Sequence, residues 1–190
     1  MRILESIKDR RSYYEIGRDL PISEEKVEEI VRTAIKYVPD SYNAQAQRAI
    51  VVMGDKQDEL WDGIYQAFDG KVAREKIDGF KAGYGTILFF INREPIQELQ
   101  KKFPNYAEKF DQWAYQAVGM LEYTVWVALR EQGVGASLQH YNPVIDSLVQ
   151  DMFGVDENWE LNAQMPFGHI LREPEQKDKI PVDERYSVVK

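Results

Sequence analysis

From about Asn105 to Glu131 the sequence reads as one long helix, with Gly133 suited to the left-handed cap that ends it. Its apolar residues Trp113, Ala117, Val118, Met120, Leu121, Val125, Trp126 and Leu129 cannot share one narrow stripe. A helix apolar nearly all round must be buried on most sides, so the fold has to be built around it. In a chain of 190 residues, a second subunit is expected to supply part of that cover. The run from Gln112 to Leu129, with Glu122 its only charge, is also the best membrane-span candidate. Its polar Gln112, Gln116 and Thr124, and the flanking Asp111 and Arg130, favour a buried helix instead.

The flanking sequence alternates strand and helix. Ser23 suits an N-cap, with Glu24 and Glu25 at the positive end and Ile22 and Val27 spaced as a staple. Val27, Ile30, Val31, Ala34, Ile35 and Val38 then follow helical spacing until Pro39. Before it, Ile3, Leu4 and Ile7 predict a short helix ending near Arg10-Arg11. Ala49 to Met53 reads as a buried strand, with helices from Asp55 to Ile64 and from Val72 to Phe80. Gly85 to Asn92, apolar on both faces, is the strongest strand and belongs in the middle of its sheet. A helix starts near Pro95, whose missing N–H is harmless in a first turn. Val134 to His140 reads as a strand, Pro143 to Phe153 as a helix and Glu160 to Leu171 as a last strand. About four strands with helices in excess predict a sheet covered by helices on both faces.

Composition narrows the function. Lys and Arg number 24 against 32 Asp and Glu, a net charge of −8 that argues against a nucleic-acid partner. Zero cysteines exclude disulfides, thiolate metal sites and a cysteine nucleophile. The charged start MRILESIKDRRS lacks the apolar stretch of a signal peptide, so a cytoplasmic protein with no membrane partner is expected. A chain of this length buries about 70% of its extended surface, enough for one domain over residues 1–190.

Familiar catalytic signatures are missing. No P-loop is present, and Gly133-Val134-Gly135 has Leu138 where a dinucleotide fingerprint needs its third glycine. Ser137 lacks the second glycine of a nucleophile elbow. Two histidines, His140 and His169, without HExxH give no basis for catalytic zinc. So few reactive side chains point to borrowed chemistry, meaning a cofactor.

Three polar clusters remain. Arg10-Arg11-Ser12 reads either as a surface pair or as forks and a hydroxyl for an anionic phosphate. Ser41-Tyr42-Asn43-Ala44-Gln45-Ala46-Gln47 is either a turn with Asn43 in an unusual backbone region or a loop that reads a heterocycle edge. Leu138-Gln139-His140-Tyr141-Asn142-Pro143 leaves a strand end and is otherwise an ordinary connecting loop.

Taken in order, these clusters resemble the nitroreductase family of FMN-dependent oxidoreductases. The resemblance rests on Arg10-x-Ser12, on Pro39-Asp40-Ser41-Tyr42-Asn43-Ala44-Gln45, and on the long helix with Gly133-Val134-Gly135 after it. It is completed by Lys177-Asp178-Lys179-Ile180-Pro181, and LQHYNP places the chain nearest the compact yeast and lactic-acid-bacterial branch.

The resemblance implies an α+β fold with a central mixed or antiparallel sheet, assembled as an intertwined homodimer with FMN at the interface and residues 173–190 as a tail packing on the partner. It implies that Arg10, Arg11 and Ser12 hold the flavin, with Lys177 and Lys179 approaching the phosphate. Asn43 and Gln45 would reach the flavin from the partner subunit. Leu138, Gln139, His140 and Tyr141 would lie along the ring, the backbone N–H of His140 facing flavin N5. NADH or NADPH would reduce the flavin, and a nitroaromatic, quinone or related small molecule would take the electrons in ping-pong order.

Departures from the family pattern fall on the substrate side. Tyr14 stands where a lysine is frequent, Ala46-Gln47 replaces Pro-Trp, and Lys179 stands where arginine is usual. A cation facing the reduced flavin is expected among Arg74, Lys76 and Lys81, and Tyr14, Tyr65, Phe68, Phe103 and Tyr106 are candidates for the acceptor side. Alternatives are a flavoenzyme of the same fold with another acceptor, or a non-enzymatic acidic interaction protein.

Overall fold

A computed structural model describes residues 3–190. Along the chain run α1 (Ile3–Asp9), β1 (Ile16–Gly17), α2 (Glu24–Tyr37), β2 (Gln47–Met53), α3 (Asp55–Ala67) and α4 (Arg74–Lys81). They are followed by β3 (Gly85–Asn92), α5 (Arg93–Lys102), α6 (Ala107–Glu131), β4 (Val134–Ala136), α7 (Asp146–Phe153) and β5 (Trp159–Ile170).

All pairings in the sheet are antiparallel, in the order β1-β5-β3-β2 with β4 on the other edge of β5. Every residue of β3 is buried, as its two-sided apolar pattern predicts. Alternation sends Ile87, Phe89 and Ile91 into a core with α2 and α6, and Leu88 and Phe90 into a second core with α3, α4 and α7. Each of these large side chains gains about 1.5–3 kcal/mol on burial, so β3 anchors both layers.

Helix α2 starts where its cap predicts, the Ser23 hydroxyl accepting from Lys26 N–H at 3.3 Å. Gly133, at φ 81°, takes the left-handed conformation that ends α6. Three elements differ from the sequence expectation. A fifth strand, β1, exists because the end of β5 offers it partners at His169 and Ile170. Strand β4 stops at Ala136, with one isolated bridge from Gln139 to Gln164 beyond it. Helix α7 begins at Asp146 rather than Pro143.

Within one chain α6 is not covered all round. Phe110, Ala114, Val118, Leu121, Val125 and Leu129 are buried, but Tyr115, Met120 and Tyr123 remain 45%, 44% and 41% exposed. An apolar groove of about 550 Å³ runs between this face and α2, past Ile30, Ala34, Tyr37 and Ala128. Helix α1 likewise exposes Ile3 and Leu4. Among the described residues, no helix is long and apolar enough to cross a membrane.

Candidate functional site

The tail after β5 turns back along the start of the chain. Leu171 N–H donates to Glu15 O at 3.0 Å, Arg172 pairs with Glu15 at 3.0 Å, and the Tyr13 hydroxyl donates to Glu173 at 3.2 Å. Arg11 then donates to the Glu175 carbonyl. This antiparallel course encloses an open crevice of about 1100 Å³. Arg10, Arg11, Ser12, Lys177 and Lys179 all line it, joined by Lys8 and Arg172. Two motifs far apart in sequence therefore meet as one basic surface, moderated by Glu15, Glu173, Glu175 and Asp178. Residues 176–190 are exposed.

Arg10 is held in an unusual way. Its guanidinium carbon lies 4.3 Å from the Trp126 ring centroid and 5.9 Å from that of Tyr123, both on α6. Its Nε is buried with no acceptor, and no carboxylate of the described residues pairs with it. A cationic fork left without an acceptor in a basic crevice is suited to an external anion.

The segment 137–141 adjoins this crevice, because Tyr13 N–H donates to Ala136 O at 3.0 Å. Gln164 pins that segment. Gln139 and Gln164 exchange backbone bonds of 2.7 and 2.9 Å, and the Gln164 side-chain oxygen accepts from Tyr141 N–H at 2.8 Å. Alternation then turns the His140 amide away from β5, and it has no partner among the described residues. The His140 side chain is exposed, so the backbone donor is the feature the fold fixes. Leu138 packs towards α6, and the Gln139 side chain is buried against Ser137. The Tyr141 ring points into an aromatic cluster with Trp61, Phe68 and Phe80, where burial pushes its hydroxyl up to about 12. Gln164 was missed by sequence reasoning, although a glutamine inside the buried run Ala163-Gln164-Met165 is itself a signal of backbone pinning.

Asn43 and Gln45 lie elsewhere. Tyr42, Asn43 and Gln45 take φ values of 58°, 52° and 50°, three non-glycine residues in the left-handed region within one loop. Asp40 accepts from Ala46 N–H at 3.1 Å, and the Tyr42 ring packs on Phe103, Phe110 and Trp113, which holds this strained turn with Asn43 and Gln45 outward. The loop leads into β2, whose Gln47 is level with Ile91 and hence with Glu160 at the start of β5. The basic crevice is at the far end of β5, on the order of 30 Å away by strand rise.

Of the three candidate cations, two are committed. Arg74 bonds Asp62 at 2.9 Å and Asp78 at 2.7 Å, while Lys81 bonds Asp62 at 2.6 Å. Hydrogen bonding from Lys81 chiefly holds the Asp62 carboxyl below its usual range. Lys76 pairs with no carboxylate among the described residues, and its ammonium lies 5.8 Å from the Tyr141 ring centroid. The candidate aromatics divide likewise. Tyr14 lines the crevice and Phe68 meets Tyr141, Tyr65 lies under Arg74, and Phe103 and Tyr106 belong with the Tyr42 loop.

A model described as the nitroreductase family matches residues 7–169. Nitroreductase FRM2 of Saccharomyces cerevisiae is 32% identical, over 92% of this chain and 91% of that protein. The solved structure of nitroreductase CinD from Lactococcus lactis in complex with chloramphenicol is 38% identical, covers 100% of both chains and superposes with a TM-score of 0.95. A BluB-like flavoprotein from Clostridium difficile, 18% identical and covering 100% of both chains, shares the fold at a TM-score of 0.75.

Proposed function

Because the chain belongs to the nitroreductase family of oxidoreductases, we propose that it binds FMN in the basic crevice and uses NADH or NADPH to reduce a small aromatic acceptor. The observation that carries this reading is the convergence of Arg10 and Ser12 with Lys177 and Lys179, around a guanidinium that has no acceptor among the described residues. That donor set fits a phosphate dianion, and the fold is shared with a flavoprotein.

When bound, FMN would supply the redox chemistry, namely hydride transfer between the nicotinamide and the acceptor in ping-pong order. The chain's residues bind and orient. Arg10 and Lys179 neutralise the phosphate, with Arg11 and Lys177 in support, and the Ser12 hydroxyl contributes a further hydrogen bond. The pinned segment 138–141 would offer the ring a rigid edge, and the His140 N–H, unpartnered among the described residues, would be a donor for it. Lys76 is the uncommitted cation able to balance negative charge on the ring. Tyr14, in place of lysine, gives the crevice an aromatic wall.

Asn43 and Gln45 cannot touch the same cofactor as Arg10 in one chain, since they lie at opposite ends of β5. A homodimer supplies them from the partner, and the apolar faces left open on α1 and α6 support that assembly. A nitroaromatic acceptor is supported by the lactococcal relative, which has been solved with chloramphenicol and with 4-nitrophenol. The test is turnover of nitroaromatics and quinones by FMN-loaded protein, with NADH and NADPH compared. Oxidation of either nicotinamide that depends on both FMN and acceptor supports the reading, and no oxidation with any acceptor overturns it.

A further inference from the structure

Arginine side chains are long and mobile, and a guanidinium with no carboxylate partner ordinarily samples many rotamers. Arg10 is restrained instead by rings. Trp126 lies 4.3 Å below its guanidinium carbon and Tyr123, one turn earlier on α6, flanks it at 5.9 Å. The indole is itself locked, because Trp126 Nε1–H donates to Ala136 O at 3.0 Å. Ala136 O also accepts from Tyr13 N–H, so the shelf and the segment carrying Arg10 share one fixed carbonyl. A ring restrains a guanidinium without consuming its donors, whereas a carboxylate would restrain it and neutralise it.

We propose that Trp126 is a positioning residue for the phosphate-binding Arg10, holding the guanidinium flat and free of protein acceptors so that its fork meets the phosphate preorganised. The proposal rests on the FMN reading above, and extends it to a residue on the central helix that touches no cofactor.

The test compares affinities for FMN and riboflavin, which differ only in the phosphate, by flavin fluorescence titration of the full chain. Trp126→Leu weakens FMN binding about tenfold and leaves riboflavin within twofold. Trp126→Phe, which loses the bond to Ala136 but keeps a ring, retains most of the FMN preference. Arg10→Lys keeps the charge but loses the planar stack, so it weakens FMN similarly, and combining it with Trp126→Leu adds little further loss. If Trp126→Leu keeps the parent ratio of FMN to riboflavin affinity, or if its loss and that of Arg10→Lys multiply fully, the positioning role is wrong. Should Trp126→Leu fail to fold, the Trp126→Phe and Arg10→Lys titrations decide: a phenylalanine variant with no FMN preference, or a lysine variant with the full preference, overturns it. A parent chain that shows no preference for FMN over riboflavin instead overturns the reading of the crevice as a phosphate site.

Discussion

Asn162 donates its side-chain amide to the carboxylate of Glu122 across 2.6 Å, joining β5 to the middle of the long helix α6. Asn162 is the extra residue of a bulge, since Phe89 pairs with Ala163 and Phe90 with Leu161. Burial pushes the Glu122 carboxyl up to about 7, and the bond from Asn162 only partly opposes it. A carboxyl raised above its unfolded value is neutral in the folded state and ionised in the unfolded state between those two values. Stability therefore falls as pH rises from about 4.5 to about 7, by roughly 3 kcal/mol when complete. Thermal melts of Glu122→Gln, which keeps an acceptor for Asn162, are expected to lose this slope. Parallel pH profiles for parent and variant would contradict the assignment.

The crevice predicts a phosphate-specific loss. Arg10→Ala with Arg11→Ala removes two charge-assisted contacts, worth roughly 1.5–3 kcal/mol each, so FMN affinity falls by at least about 100-fold while riboflavin affinity holds. Fluorescence titration at two salt concentrations checks this, because the parent's FMN affinity drops with salt and the variant's drops less. Equal FMN affinity in both proteins would remove the clamp from the account.

Gln164→Leu leaves the Tyr141 amide buried without an acceptor and frees the segment that presents the His140 N–H. The expected cost is about 1–3 kcal/mol in thermal or denaturant unfolding. The rate of flavin reduction by NADH or NADPH should fall as well, read by anaerobic stopped flow. A variant with parental stability and parental reduction rate would show that Gln164 pins nothing of consequence.

The sequence made the scaffold legible wherever one element decides its own fate. The cap at Ser23, the stop at Gly133 and the two-sided apolar run of β3 are local patterns, and the fold follows them. What stayed hidden depends on distant partners. Strand β1 has two residues and no periodicity to read, existing only because β5 is long enough to pair with it. The bulge at Asn162 and the stack of Arg10 on Trp126 need the packed helix before they have meaning. In the site, Arg10-Arg11-Ser12 and Lys177 to Lys179 were visible as charges, but only the turn of the tail along residues 11–15 brings them together.

The open apolar faces predict assembly. Sedimentation velocity should show a dimer for the parent chain, and Leu4→Glu with Met120→Glu, at positions 68% and 44% exposed in one chain, should shift it towards monomer. FMN affinity should fall with the dimer, because Asn43 and Gln45 are then withdrawn. A parent chain that binds FMN fully as a monomer would contradict the shared site.

Two separated half-reactions examine the proposed activity at its root. FMN-loaded protein is mixed anaerobically with NADH or NADPH alone, and the nicotinamide is removed before a nitroaromatic or quinone is added. The account predicts that the yellow flavin band bleaches in the first step and returns in the second. A band that stays unchanged with either nicotinamide, or that responds only when donor and acceptor are present together, would contradict it.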